Sequence, residues 1–204
     1  EIAREIQRSM LPGAGQARIQ GANLPARIVS GDFYSYLVSA EDEAWFCLGD
    51  VSGKGIDAAL WMARAVSMFS CLAQTHTSPA RLLEALNREL RASALRGMFI
   101  TMVVGWIDRS GCHARVANAG HLPVLIWRHG QVVELPASGP PIAILDSVVY
   151  EDVSTGPGPA TLCVVSDGAV EAIAGKAFAD LDRLKQRVSA MMETGRFSAD
   201  ALLA

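Results

Sequence analysis

Neither charge sign dominates this chain: 18 Lys and Arg face 21 Asp and Glu, a formal net charge of −3 over 204 residues. Without a basic excess there is no field to hold a phosphate backbone, so nucleic acid is not an expected ligand. No apolar run reaches the roughly 18–20 residues that a membrane-spanning helix needs, and no secretory leader pattern opens the chain. Cysteine is sparse and dispersed. Cys47, Cys71, Cys112 and Cys163 include no CxxC pair, which argues against a zinc knuckle or a dithiol redox centre. Cys71 sits in a helical pattern and the others in apolar, strand-like runs; all are expected to be buried free thiols of a protein in a reducing cytoplasm. The histidines (His76, His113, His121 and His129) lack the close pairing of a zinc site. GxSxG, the serine-nucleophile elbow, is missing. The phosphate-cradling GxxxxGK[ST] fails because Gly55, not Ser or Thr, follows Lys54.

What is present is globular composition, 50% hydrophobic and 19% charged, in a chain long enough for one domain with a sizeable core. Ile2, Ile6 and Met10 recur at i, i+4, i+8, an apolar helical stripe stopped by Pro12-Gly13. It suits a short docked helix or the tail of a linker helix from a preceding domain. Strands are expected over 26–38 and 43–49. A glycine-rich turn, Gly49–Gly55, leads to a helix from Ile56 to Ala73 with Ile56, Leu60, Ala63 and Ser67 on one face. Ser78-Pro79 is an N-cap and N1 pair for a second helix with Leu82, Leu83, Leu86 and Leu90 together, and Gly97 is a plausible stop. Strands Phe99–Asp108 and Cys112–Asn118 follow, then a hairpin of Val124–Trp127 and Gln131–Leu135 turned at Arg128-His129-Gly130. Pro136–Pro141 reads as a loop, Thr161–Ser166 as a buried strand and Phe178–Glu193 as an amphipathic helix; Ser198 can cap a short last helix. Neighbouring antiparallel-type strands with helices in blocks indicate α+β layers rather than a doubly wound parallel sheet.

Three acids stand out by context. Asp50 ends the apolar run Trp45–Leu48 and precedes Gly53 and Gly55; Asp167 ends Leu162–Val165 and precedes Gly168; Asp32 lies in Ser30-Gly31-Asp32-Phe33-Tyr34. Strand-end carboxylates are well placed to converge at one edge of a sheet, and converging carboxylates need a cation. Oxygen ligands would suit Mg²⁺ or Mn²⁺ better than zinc. Spacing alone leaves open the alternative that each Asp only caps or turns the chain. His121, after Asn118-Ala119-Gly120, is placed either as a general acid or as a loop hydrogen-bonder.

In these residues the chain resembles the bacterial branch of the PP2C-type, metal-dependent serine/threonine phosphatases, the branch of the sporulation and stress-response phosphatases. Ile6-Gln7 with Met10-Leu11-Pro12 resembles the family's opening switch helix. Pro25-Ala26 with Ser30–Tyr34 resembles its first acidic motif, and Gly49–Gly55 with Ala58-Ala59-Leu60 its most specific one. Asn87-Arg88, Phe99-Ile100-Thr101, Asn118–Pro123 and Ser166–Ala172 follow in the family's order. The resemblance implies a PP2C-like layered sandwich, two antiparallel β-sheets flanked by helices on both faces. It implies a linker or switch helix over 1–12 and a phosphatase domain over 13–204, part of a larger regulatory protein. It implies two Mn²⁺ or Mg²⁺ ions: Asp50 bridging both, the Val51 carbonyl binding one, Asp167 the other, and Asp32 acting directly or through water. Asp50 and Asp32 are thereby the catalytic candidates, and the nucleophile is an activated water rather than a side chain. The implied partner is a phosphorylated anti-anti-sigma (STAS-type) protein, with an upstream receiver or sensor domain and a homodimer through the N-terminal helix. Two departures temper this. Ser35 stands where the family usually has a second Asp, and the family's closing Asp-bearing strand is expected after the last helix. A phosphatase-like adaptor that binds its partner without catalysis is the alternative they imply.

Overall fold

The computed structural model describes residues 12, 18–23, 31–93, 97–174 and 181–203. The apolar stripe of residues 2–10, the motif residues Pro25, Ala26 and Ser30, and the beginnings of the 26–38 strand and the 178–193 helix lie outside them. In chain order the elements are β1 (Asp32–Val38), β2 (Ala44–Val51), α1 (Ile56–Leu72), α2 (Pro79–Arg91), β3 (Ile100–Ile107), β4 (Ala114–Ala119), β5 (Val124–Arg128), β6 (Gln131–Leu135), β7 (Val153–Ser154), β8 (Thr161–Cys163), α3 (Asp167–Ala174), α4 (Leu181–Glu193) and α5 (Ala199–Leu203). A five-stranded sheet runs β1-β2-β3-β4-β7 and a three-stranded sheet β6-β5-β8. All their ladders are antiparallel. This is the expected α+β sandwich.

Strand alternation decides what each layer holds. On one face of the large sheet, Phe33, Trp45, Cys47, Val104 and Ala117 meet Trp61, Met62, Val66 and Phe69 of α1 and Leu82, Leu83, Leu86 and Leu90 of α2. Each such buried leucine is worth about 1.5–3 kcal/mol relative to exposure. Between the sheets Val103, Val116 and Val124 pack with Phe46, Leu135, Leu162 and Val164. Beyond the small sheet, Leu125, Cys163 and Val165 are covered by Val170, Leu184, Val188 and Leu202 of α3, α4 and α5. The β5–β6 hairpin turns as expected: Arg128 pairs with Gln131, and the two residues between, His129 and Gly130, both have positive φ (49° and 78°). That twist matches the strands it joins.

Several expectations need correction. The α1 face carrying Ile56 and Leu60 is the outer one: Ile56 is 72% and Leu60 64% exposed, while Ala58, Trp61, Met62, Ala65, Val66 and Phe69 are buried. A stripe holding Trp and Phe removes more apolar area from water than one holding Ala63 and Ser67. Cys71, on that outer face, is exposed, and Cys112 lies partly exposed in the turn before β4; only Cys47 and Cys163 are buried as expected. Strand β8 ends at Cys163, and α3, which periodicity did not reveal, begins at Asp167. Strand β7 also went unforeseen; two residues carry no period, and only pairing with Arg115 and Val116 identifies them. Among the described residues no helix is long and apolar enough to cross a membrane.

Candidate metal centre

The register of the large sheet sets Asp32 directly opposite Asp50, and Asp50 opposite Thr101. Because opposite residues share a face, these three side chains form a row across β1, β2 and β3 at one end of the sheet. Asp167 reaches the same place from the small sheet as the first residue of α3, where the helix N-terminus favours a carboxylate. One carboxylate oxygen from each of Asp32, Asp50 and Asp167 lies within 4.8 Å of the others. Three candidates drawn from distant parts of the chain thus meet at one point.

Close approach of backbone to this point explains one glycine. A Cβ on Gly31 would stand 2.5 Å from the Val51 carbonyl oxygen and 2.9 Å from Asp50 Oδ1. That position therefore admits no side chain, and it places the Val51 oxygen beside the Asp50 carboxylate. Ser52 then locks the loop sideways: its N–H donates to the Phe99 carbonyl (2.9 Å) and its Oγ accepts from the Phe99 N–H (2.8 Å). The cluster opens onto a groove of about 1380 Å³ walled by β1, residues 53–56 and residues 160–169.

His121 is no part of the groove. It is 8% exposed, and its Nδ1 lies 2.8 Å from Thr101 Oγ1 and its Nε2 3.1 Å from the Val165 carbonyl oxygen. A neutral ring with its proton on Nε2 satisfies both contacts, accepting from the threonine hydroxyl and donating to the carbonyl. Burial lowers its pKa, against the raising influence of the Val165 carbonyl and Asp167. Asn118 holds the loop: its Oδ1 accepts from the His121 N–H (2.8 Å) and its Nδ2 donates to the His121 and Leu122 carbonyls. His121 is thus the loop hydrogen-bonder of the two alternatives, a strut joining the two sheets just below the acids. Thr101 was legible in the sequence only as part of a motif; nothing in its spacing announced the strut.

Ser35 pairs with Cys47 and is buried at 7% exposure. By alternation it shares the helix-facing side with Phe33, opposite to Asp32. A carboxylate at position 35 would therefore point away from the cluster, and its replacement by serine subtracts nothing from the three acids.

The cluster is electrostatically unsatisfied by itself. Burial, then the charges of Asp32 and Asp167, then a hydrogen bond with Asp32, push the Asp50 carboxyl up to about 7. Hard oxygen donors whose mutual repulsion a dication would relieve fit Mg²⁺ or Mn²⁺. A measurable consequence follows for the metal-free protein. Asp50 rises from 3.8 to about 7 on folding, so the folded state holds its proton more tightly. Stability from this group is fully present below 3.8 and is lost as pH rises through about 7. His121, lowered from 6.5, works in the opposite sense, gaining stability as pH rises towards 6.5. Thermal melts in EDTA should therefore show Asp50→Asn losing less stability than wild type between pH 5 and 8. Parallel profiles for the two proteins would contradict the assignment.

The family model of stage II sporulation protein E matches residues 40–203. Over 199 residues the chain is 27% identical to the phosphoserine phosphatase RsbU of Bacillus subtilis (strain 168), covering 94% of this chain and 59% of that protein. It thus spans little more than half the length of this curated relative. Among solved structures, the PP2C domain of SiaA from Pseudomonas aeruginosa superposes with a TM-score of 0.77 at 21% identity, over 99% of this chain and 82% of that one. The phosphatase domain of SpoIIE from Bacillus subtilis, solved with a fragment of its regulatory domain, gives 0.72 at 23% identity, over 90% and 53%. At such identities these two structures speak for the fold.

Proposed function

This chain belongs to the stage II sporulation protein E family of PP2C-type phosphatases, and from that premise we propose that it removes phosphate from phosphoserine or phosphothreonine of a partner protein with the help of two Mn²⁺ or Mg²⁺ ions. The convergence of Asp32, Asp50 and Asp167 within 4.8 Å at the groove carries the reading. Asp50, whose carboxyl feels the charges of both other carboxylates, would be a ligand to both ions, and Asp32, Asp167 and the Val51 carbonyl would supply the remaining protein oxygens. When bound, the ions neutralise these carboxylates and lower the pKa of water, which supplies both nucleophile and charge stabilisation. In the net hydrolysis the water oxygen forms the new bond to phosphorus, the bond from phosphorus to the seryl oxygen breaks, and one proton of the water ends on the seryl oxygen, giving a free hydroxyl and inorganic phosphate. The chain's own part is to seat the phosphoester in the groove and, through His121, to hold the two sheets at a fixed separation. A thiol nucleophile at the groove finds no support: the two cysteines that line it, Cys47 and Cys163, are buried and burial raises both thiols, Cys163 to about 12.

The finer assignment rests on the family resemblance. The partner is a phosphorylated anti-anti-sigma (STAS-type) protein in the cytoplasm. Residues 13–204 form the phosphatase unit, and residues 1–12 link it to an upstream receiver or sensor domain and to a second copy. Tyr34, two residues after Asp32 on β1, supports the coupling, since its hydroxyl lies 3.0 Å from the Pro12 carbonyl oxygen and 3.2 Å from that of Gly21. Full-length protein supplied with Mn²⁺ should dephosphorylate such a partner, and EDTA should stop it. Partner binding that survives EDTA, with no turnover of any phosphoprotein at any Mn²⁺ concentration, would instead make the chain an adaptor.

A further inference from the structure

Resting on that reading, we propose that Lys54 binds the phosphoryl group of the substrate and sets affinity for it. Lys54 lines the same groove as Asp32, Asp50 and Asp167. It is exposed at the tip of the loop between β2 and α1. Gly53 and Gly55 on either side have φ of 105° and 82°, and an added Cβ at either would meet nothing within 4 Å. The turn is therefore one that L side chains rarely adopt, and open space surrounds both glycines, so nothing packs the loop against the groove wall.

Charge decides what the ammonium is for. Two cationic residues, Arg18 and Lys54, line the groove among the described residues. Arg18 is paired with Asp42 at 2.9 Å, whereas no described ion pair involves Lys54. Three carboxylates against two dications leave one positive charge, and a phosphomonoester dianion turns that into one negative charge. A single lysine restores neutrality. It does so as a mobile point charge with several donors, which suits a phosphoryl group presented by different protein partners. A carboxylate brings half that charge and a neutral ligand none, so the residue favours a phosphoryl group over either.

The probe is inorganic phosphate, the product, bound to Mn²⁺-loaded protein and followed by paramagnetic broadening of its ³¹P resonance, beside steady-state kinetics on a phosphoprotein. Lys54→Ala should weaken phosphate binding and raise KM by about 10- to 100-fold, the size of a hydrogen bond to a charged group, with a smaller change in kcat. Lys54→Arg, which keeps the charge, should recover most of the loss, and Mn²⁺ affinity read by electron paramagnetic resonance should be the same in all three proteins. Changes below about threefold in Lys54→Ala, the size expected of a solvated surface lysine, would overturn the proposal while leaving the phosphatase reading intact. So would loss of Mn²⁺ binding in Lys54→Ala, which would make the effect one of the metal site. Wild-type protein that binds neither Mn²⁺ nor phosphate would overturn both readings together.

Discussion

Replacing Asp50 by asparagine is expected to lower turnover by about a thousandfold or more while leaving the metal-free fold intact. The substitution keeps the size of the side chain and its place in the row Asp32–Asp50–Thr101. What it removes is the negative charge at the centre of the cluster. A dication supplies several kcal/mol of transition-state charge stabilisation, and about 4 kcal/mol corresponds to a thousandfold in rate. The internal control lies in the metal-free state. Asp50 is crowded by two like charges, so asparagine relieves repulsion, and the variant in EDTA at pH 8 should melt no lower than wild type. Kinetics across a range of Mn²⁺ concentrations and melts in EDTA measure the two halves. Turnover within tenfold of wild type at saturating Mn²⁺ would remove Asp50 from the site. A lower melting temperature in EDTA would mean that the loss of activity came from the fold.

Asn87→Ala should cost about 1–3 kcal/mol of stability, chiefly from the buried Ala143 N–H left unsatisfied in the interior. Asn87 is 2% exposed on the inner face of α2. Its Oδ1 accepts from the Ala143 N–H at 2.8 Å and its Nδ2 donates to the Leu145 carbonyl at 3.1 Å. Ala143, whose N–H makes the first of these contacts, has φ of 71°, a conformation that costs a non-glycine residue of order 1–3 kcal/mol and persists only when its surroundings enforce it. The amide is what enforces it. The turn in question sits beside the acid-bearing end of the sheet, because Ile142 bridges to Ile100, which pairs with Val51. Urea unfolding should give the full stability loss with an unchanged slope; a loss under about 0.5 kcal/mol, that of an ordinary surface change, would refute the clamp.

Much of this was legible in the sequence, for identifiable reasons. Strand alternation in residues 32–51, apolar runs ending in Asp-Gly or Gly-Asp, and a Ser-Pro helix start are local signals, and the elements they predict are present. The acids could be singled out because a charge at the end of a buried strand beside glycine is unusual. Their convergence could not, since it depends on how two sheets face each other. Which face of α1 turns inward was not legible, because the helix is apolar on both sides: Ile56 and Leu60 have the same four-residue spacing as the buried Met62 and Val66. Only the partner surface, rich in Phe33 and Trp45, decides between them. Helix α3 was hidden by Gly168 at its second residue and by an apolar sequence that reads equally as strand. The role of His121 needed Thr101 and Val165 to be brought to it from β3 and from the segment that follows β8.

The seam between the sheets also has a consequence for how the chain folds. Asp32 and Asp50 come from the first quarter of the described chain, and Asp167 comes only after all eight described strands. Contacts of such long sequence separation form late and slowly, because loop closure must precede any gain from them. A partly folded chain holding only the large sheet has two of the three acids and no complete site. Ions that bind only the finished arrangement add to its stability by mass action and add nothing to earlier forms. Metal occupancy would then report completion of folding, and refolding followed by recovery of Mn²⁺ binding would lag behind refolding followed by burial of Trp45 and Trp61.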